Sequence, residues 1–392
     1  MRIVFVTESD LTGLQPVGGA ETSMVLLAQA LAVRGHDVEF VHEIALKQMF
    51  PTVLRAHVGG IRGFGIVGIR RTSASRILKP LDRFRKRFNR RHALRTLKAR
   101  IEQADLVYSS YQRNVLSWIS EVLADAHHVR WVIRIGGLDP IRQIERTPSL
   151  LATYRRSLAA ATALNYNHPG LQPLFEEQAE GVGLEVPPCR VIAGDIGVEL
   201  PEARIEAQKQ SGDLPLKLAM VARFSKDQKR HDLLCEAVAL MTEPAELVFI
   251  GSGPTLPSVQ RLAEDLGVAE QIVFVPPLPQ QRMWELLASC SLLCVATDYE
   301  GLSKVALESM GLGVPVLASQ VRPITDFLEH DVSGFLVRND SSSWAIELDR
   351  LARAPELRRQ VAVNARGLVE REYDARRRIL ELEETFSSLL QG

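Results

Sequence analysis

Aromatic residues are scarce in this chain, cysteines number four, the net charge is zero and no long apolar run occurs. Aromatics make up 6% of the 392 residues, within a hydrophobic fraction of 46%. That balance suits aliphatic strands covered by helices on both faces. Cys189, Cys235, Cys290 and Cys294 show neither metal-ligand spacing nor a Cys-x-x-Cys pair, which leaves buried thiols in a reducing compartment as their reading. Lysine and arginine total 47 against 47 aspartates and glutamates, so the field of the whole molecule asks for no polyanionic partner and charge acts only locally. No apolar run approaches the ~20 residues of a membrane span. The opening Met1-Arg2-Ile3-Val4-Phe5-Val6-Thr7-Glu8 is too short and too interrupted for a signal peptide. The expected location is cytoplasmic, with peripheral attachment at the inner face of a membrane as its variant.

What is present is a pattern that occurs twice. Ile3 to Thr7 reads as a buried strand, Ala20 to Arg34 as a helix stopped by Gly35, and Val38 to His42 as a second strand, the opening of a doubly wound α/β domain. Gly18 and Gly19 stand in the loop between them, where backbone amides can approach a ligand at a helix start. The segment from Gly59 to Ile69 reads as a mobile loop. Between Arg76 and Arg100 eleven cations face a single acid, Asp82, with Ile77, Leu81, Phe84, Phe88, Leu94 and Leu97 interleaved. This predicts one basic amphipathic helix or a pair, either packed on its domain or docked on an anionic membrane, where each cation adds ~1 kcal/mol. Nucleic acid is a poor partner here, because no aromatic platform accompanies the charge. Val129 to Ile135 is a further strand, and Arg134, Asp139 and His168 are candidates to line a cleft. A polar stretch, Glu202 to Asp213, marks the domain boundary.

The pattern then restarts. Lys217 to Ala222 is a strand, followed by Arg223, Lys226, Lys229 and Arg230 before a helix, an arrangement suited to a diphosphate. Gly251 and Gly253 form a second glycine turn. Leu292 to Ala296 is a buried strand that runs into Asp298-Tyr-Glu300-Gly301-Leu302-Ser303-Lys304-Val305 and then, inside a helix, Glu308. The amides of Leu302 to Val305 lie at a helix start and suit a phosphate. Glu300 could then accept sugar hydroxyls, and Glu308 the two hydroxyls of a ribose. On spacing alone, a solvated turn glutamate and a helix-surface glutamate are an equal reading.

Glu300-Gly301-Leu302-Ser303, the second acid Glu308 and Gly313-Val-Pro-Val-Leu-Ala318 resemble the nucleotide-sugar motif of retaining GT-B glycosyltransferases of family four. The resemblance is strongest over 216–319 and extends more weakly over the rest. It implies an α/β GT-B fold: two doubly wound Rossmann-like domains facing each other across a cleft. Residues 1–205 would bind the acceptor, 206–374 the nucleotide sugar, and a final helix at about 375–392 would return to the first domain. It further implies Arg223, Lys229 and Glu300 as the catalytic set. Gly18, Gly19, Gly251, Gly253, Gly301 to Val305 and Glu308 would hold the donor, with no cofactor and no metal, in keeping with the lack of an Asp-x-Asp pair. The sequence departs from the family where Gly136 stands in place of a histidine that reaches the donor sugar. The expected activity is transfer of a sugar to an acceptor such as a lipid-linked or cell-surface glycan precursor. Rivals are a non-catalytic sugar-nucleotide binder, which the missing histidine motivates, and a GT-B epimerase. A phosphorylase would need a lysine in pyridoxal context, and none stands out.

Overall fold

Strands whose two faces are both apolar can be buried only between layers of helix, and this chain builds two such sandwiches. The computed structural model describes residues 1–8, 11, 19–48, 52–58, 60–69, 79–194, 197–199, 215–225, 228–300, 302–322 and 324–391. Its contacts divide the chain into Met1–Ile196 with Arg376–Gly392, and Gly197–Ala375. The sequence places the boundary at 205/206, in the polar stretch from Glu202 to Asp213, which lies outside the described residues.

The first unit runs β1 (Arg2–Thr7), α1 (Gly19–Val33), β2 (Asp37–Gln48), β3 (Thr52–Val58), β4 (Ile61–Ile69), α2 (Lys79–Ile101), β5 (Leu106–Ser110), α3 (Arg113–Leu123), β6 (Arg130–Ile135), α4 (Asp139–Arg146), α5 (Leu151–Ala160), β7 (Ala163–Tyr166), α6 (Leu171–Gly181) and β8 (Arg190–Ala193). Its strands lie in the order β3-β4-β2-β1-β5-β6-β7-β8. All neighbours are parallel except β3 and β4. Alternate residues of β1 divide between two cores: Val4 and Val6 meet Val107, Leu116 and Trp131 on one face, and Ile3 and Phe5 meet Leu27, Leu31 and Tyr108 on the other.

One expectation changes here and another is narrowed to one of its alternatives. The glycine-punctuated run from Gly59 to Ile69 is not a loop: β4 occupies Ile61–Ile69, parallel to β2 and antiparallel to β3. Hydrogen bonds from both neighbours hold the glycines extended, and Phe64 and Ile66 are buried between them. The basic stretch forms one helix, α2, and in its described half the apolar side is already used. Ala93, Leu97 and Ile101, at i, i+4 and i+8, are 1% exposed or less, in the same core as Ile119 of α3. On the opposite side Arg87, Arg91 and Arg95 form an exposed stripe at the same spacing, as helical periodicity requires. Arg90 pairs with Glu121, and Lys98 lies 3.6 Å from Glu102 and from Asp125.

The second unit runs β9 (Leu216–Val221), α7 (His231–Leu240), β10 (Ala245–Ile250), α8 (Leu256–Asp265), β11 (Ile272–Val275), α9 (Gln280–Ala288), β12 (Leu292–Val295), α10 (Lys304–Gly311), β13 (Val316–Ser319), α11 (Ile324–Phe327), β14 (Phe335–Val337), α12 (Ser341–Ala352) and α13 (Pro355–Glu372). Its wholly parallel sheet has the order β11-β10-β9-β12-β13-β14. Numbered within the unit, this is the 3-2-1-4-5-6 order of the doubly wound fold, whose ligands sit beyond the carboxyl ends of the strands where the winding reverses. Here the reversal falls between β9 and β12, so topology alone selects the loops after those two strands.

The chain ends in α14 (Ala375–Gln391), which from Arg376 belongs to the first unit. Leu382, Phe386 and Leu389 are buried beside Phe5 and Tyr108, with the rings of Tyr108 and Phe386 5.7 Å apart. Glu383 pairs with Arg34, and with His36 at 2.7 Å, beyond the end of α1.

Candidate active site

The loop after β9 and the loop after β12 are joined by a lattice of hydrogen bonds. Lys229 forms an antiparallel bridge with Thr297. The Asp298 amide donates to the Gln228 carbonyl (2.9 Å), and the Gln228 side-chain amide donates to the Tyr299 carbonyl (3.0 Å). The Thr297 hydroxyl donates to the Tyr299 carbonyl at 2.7 Å. Asp298 in turn accepts from Arg230 Nη1 at 3.2 Å and from Asn339 Nδ2 at 2.7 Å. The consequence is a fixed seat for two half-buried side chains: Lys229 donates to Glu300, its ammonium against the carboxylate.

Arg223, at the mouth of the same strand, is exposed. Between it and Lys229 the chain is anchored by Phe224, 1% exposed and stacked on His231 with ring centroids 4.0 Å apart. Phe224 also ties this loop to the glycine turn after β10. A Cβ on Gly251 would stand 2.0 Å from the Ala222 carbonyl oxygen, and one on Gly253 would stand 2.1 Å from that of Phe224. No side chain fits at either position, so these two glycines serve close backbone packing. Lys226 and Gly301 lie outside the described residues, as does Gly18; Gly19 opens α1.

His231 follows the lysine loop directly and is 1% exposed, and neither ring nitrogen meets a well-aligned hydrogen-bond partner. Burial pushes its pKa down to about 4, so the ring is a neutral packing surface. The folded value lies below the ordinary one near 6.5, so this group contributes stability that is complete above that ordinary value and is lost as the pH falls towards 4. The linkage amounts to about 3 kcal/mol. Between pH 7 and pH 4 the Tm of His231→Phe should therefore fall less than that of the parent, by calorimetry at matched salt; equal falls would show that His231 does not carry the acid sensitivity.

On the β12 side, α10 begins at Lys304 after Ser303. The amides of its first turn have no acceptor within the helix, and Leu302, Ser303, Lys304 and Val305 surround them. Glu308 lies one turn further in. Its Oε2 accepts from Trp284 Nε1 and its Oε1 from Gln280 Nε2, both at 3.3 Å. Burial raises the Glu308 pKa, and the hydrogen bond from Trp284, the charge of Lys304 and the bond from Gln280 oppose that rise. The sequence singled out Glu308 and Glu300 but neither the α9 pair beneath Glu308 nor Thr297, Asp298 and Asn339 beneath Glu300. Only the i, i+4 spacing of Gln280 and Trp284 hinted that they share a face.

In the first unit, Arg134 stands one residue before the end of β6, and Asp139 opens α4 and accepts from the Tyr111 hydroxyl at 2.9 Å. His168 is buried after β7, its Nδ1 accepting from the Gly170 amide at 3.0 Å. A Cβ on Gly136 would stand 2.9 Å from Arg134 Nη1 and 3.3 Å from the Tyr111 ring. The buried Arg134 guanidinium thus lies against Gly136 and would have to shift for a side chain there. The four cysteines are free, and burial pushes Cys290 up to about 11 and Cys235 up to about 12, far from the thiolate form that nucleophilic or metal chemistry needs. No helix among the described residues is long and apolar enough to cross a membrane.

The family model for glycosyl transferases group 1 matches residues 202–368. Among similar proteins, the D-inositol 3-phosphate glycosyltransferase of Actinosynnema mirum is 33% identical over 199 residues, which is 46% of this chain and 48% of that protein. The N-acetyl-alpha-D-glucosaminyl L-malate synthase of Bacillus anthracis is 25% identical over 176 residues, 44% of this chain and 46% of that protein. The chain thus spans about half the length of the curated relatives it matches. In fold, sucrose-phosphate synthase from Thermosynechococcus elongatus is similar with a TM-score of 0.79 at 19% identity, over 100% of this chain and 99% of that one. HepE from Anabaena, in complex with UDP and glucose, gives 0.75 at 16% identity, over 99% and 100%. The architecture is GT-B, and residues 202–368 are similar to the glycosyl transferases group 1 family.

Proposed function

We propose that the chain transfers a sugar from a nucleoside diphosphate sugar to an acceptor, with retention of configuration and without a metal ion. The observation that carries the reading is the meeting of Lys229 and Glu300 at the switch point between β9 and β12, with Arg223 exposed just after β9 and α10 starting at Lys304 after Glu300. When the bond from the anomeric carbon to the phosphate oxygen breaks, its electron pair stays on the diphosphate. Arg223, Lys229 and the α10 amides are preorganised donors for that growing charge. Glu300 accepts hydroxyls of the sugar, Glu308 those of the ribose, and the acceptor hydroxyl forms the new bond to the anomeric carbon and gives its proton to the departing phosphate oxygen. Arg134, Asp139 and His168 would serve the acceptor side. The relatives' names add D-inositol 3-phosphate and L-malate to the lipid-linked acceptors that the basic helix suggests. Thermal-shift screening against UDP-, GDP- and ADP-sugars, followed by an assay for released nucleoside diphosphate with each acceptor, tests the reading. Turnover supports transfer, whereas tight binding without release in any combination would favour a sugar-nucleotide binder.

The exposed stripe of Arg87, Arg91 and Arg95 favours a second element, contact with an anionic membrane. Because Leu97 and Ile101 are buried in the unit, this half of the helix would dock by charge rather than by insertion. Vesicle co-sedimentation should show binding that requires anionic lipid, weakens as salt rises and is lost in the triple variant Arg87→Glu, Arg91→Glu, Arg95→Glu. Equal recovery on neutral vesicles would overturn the contact and leave the transferase reading standing.

A further inference from the structure

We infer that Gln280 and Trp284 are positioning residues that make the site selective for a ribonucleotide over a 2′-deoxyribonucleotide. The inference rests on the donor-site reading above and extends it to residues outside the acid motif. An ionised carboxylate offers about four lone-pair positions. At Glu308 two of them are already used: Trp284 donates to one oxygen and Gln280 to the other, each at 3.3 Å. Both donors come from one face of α9, four residues apart, and α9 lies against the helix that carries Glu308. One acceptor position remains on each oxygen, the complement of a cis-diol with two hydroxyl donors. Trp284 is 8% exposed, so packing holds its indole N–H in place. A carboxylate fixed by two donors of this kind loses little rotamer freedom when a diol arrives, and the preorganisation favours the ligand that uses both remaining positions.

Two features set this apart from a merely structural pair. Burial raises the Glu308 pKa and the hydrogen bonds from the two donors oppose that rise, so they favour its accepting form. And the pair would report on ligand arrival, because a hydroxyl that joins Trp284 on Oε2 perturbs the indole directly.

The test compares the parent chain with Trp284→Phe, Gln280→Ala and Glu308→Ala. The ligand is whichever of UDP, GDP and ADP binds the parent most tightly, paired with its 2′-deoxy counterpart. The parent should prefer the ribonucleotide by about tenfold, the scale of one hydrogen bond to a charged group. Trp284→Phe and Gln280→Ala should each bring that preference to within about threefold while leaving binding of the deoxynucleotide near the parent's. The change in tryptophan fluorescence on adding the ribonucleotide should vanish in Trp284→Phe. If both α9 variants keep the parent's ratio while Glu308→Ala loses it, the inference fails and the donor site stands. Should all three variants keep the ratio, or should the parent bind none of the three nucleotides, the donor-site reading fails and takes the inference with it.

Discussion

Replacing Lys229 with alanine should lower turnover about 100- to 1,000-fold, the cost of losing one preorganised donor to charge that develops in the transition state. The affinity for the bare nucleoside should barely change, because the ammonium reaches towards the diphosphate and not the base or ribose. The structure adds a sharper corollary. In the unliganded chain Lys229 is paired with Glu300, so the carboxylate is an internal competitor for the cation that a diphosphate needs. Glu300→Gln should therefore tighten binding of the free nucleoside diphosphate while lowering turnover, since the amide no longer neutralises the lysine but also no longer holds the sugar as a carboxylate does. Steady-state kinetics with calorimetric binding of UDP, GDP and ADP separate the two effects. Weaker diphosphate binding in Glu300→Gln would show that the pair acts as a unit and not as rivals.

The second large effect concerns stability. Phe386→Ala should destabilise the first unit by about 3–5 kcal/mol, the usual range for deleting a fully buried aromatic side chain. Phe386 is wholly buried, its ring 5.7 Å from that of Tyr108, in the core that also holds Phe5 and Phe40. That core lies between the sheet and α14, so the cavity would open where the last helix seals it and would loosen the helix as well as the core. Denaturant unfolding, with hydrogen exchange resolving α14, measures both. A change below about 1 kcal/mol would mean that the helix is only loosely applied to its unit.

Much of this was legible in the sequence, for reasons that differ by residue. The places of Glu300 in a loop and Glu308 in a helix were legible because a strand, a loop and a helix follow one another without interruption. Lys229 was one of four basic residues that the pattern placed at the carboxyl end of a strand, and only the family resemblance singled it out. The bond from Trp284 to Glu308 could not, since it joins two helices that are distant in sequence, and neither residue type announces the other. The strand at Ile61–Ile69 was hidden by its glycines, which read as breaks in isolation and are held extended only by neighbours on both sides. For α2, periodicity revealed two faces. The neighbouring α3 decided that the apolar one is covered, and a partner of that kind is invisible in a local pattern.

On the proposed reading the loops after β9 and β12 hold the diphosphate while its sugar passes to an acceptor that attacks the face the diphosphate leaves. The most direct measurement is proton NMR of the anomeric signal of the glycoside formed from an α-linked nucleoside diphosphate sugar. The account predicts an α-linked product, formed mole for mole with the nucleoside diphosphate in the presence of a metal chelator. A β-linked product, or transfer that stops when the chelator is added, would contradict it.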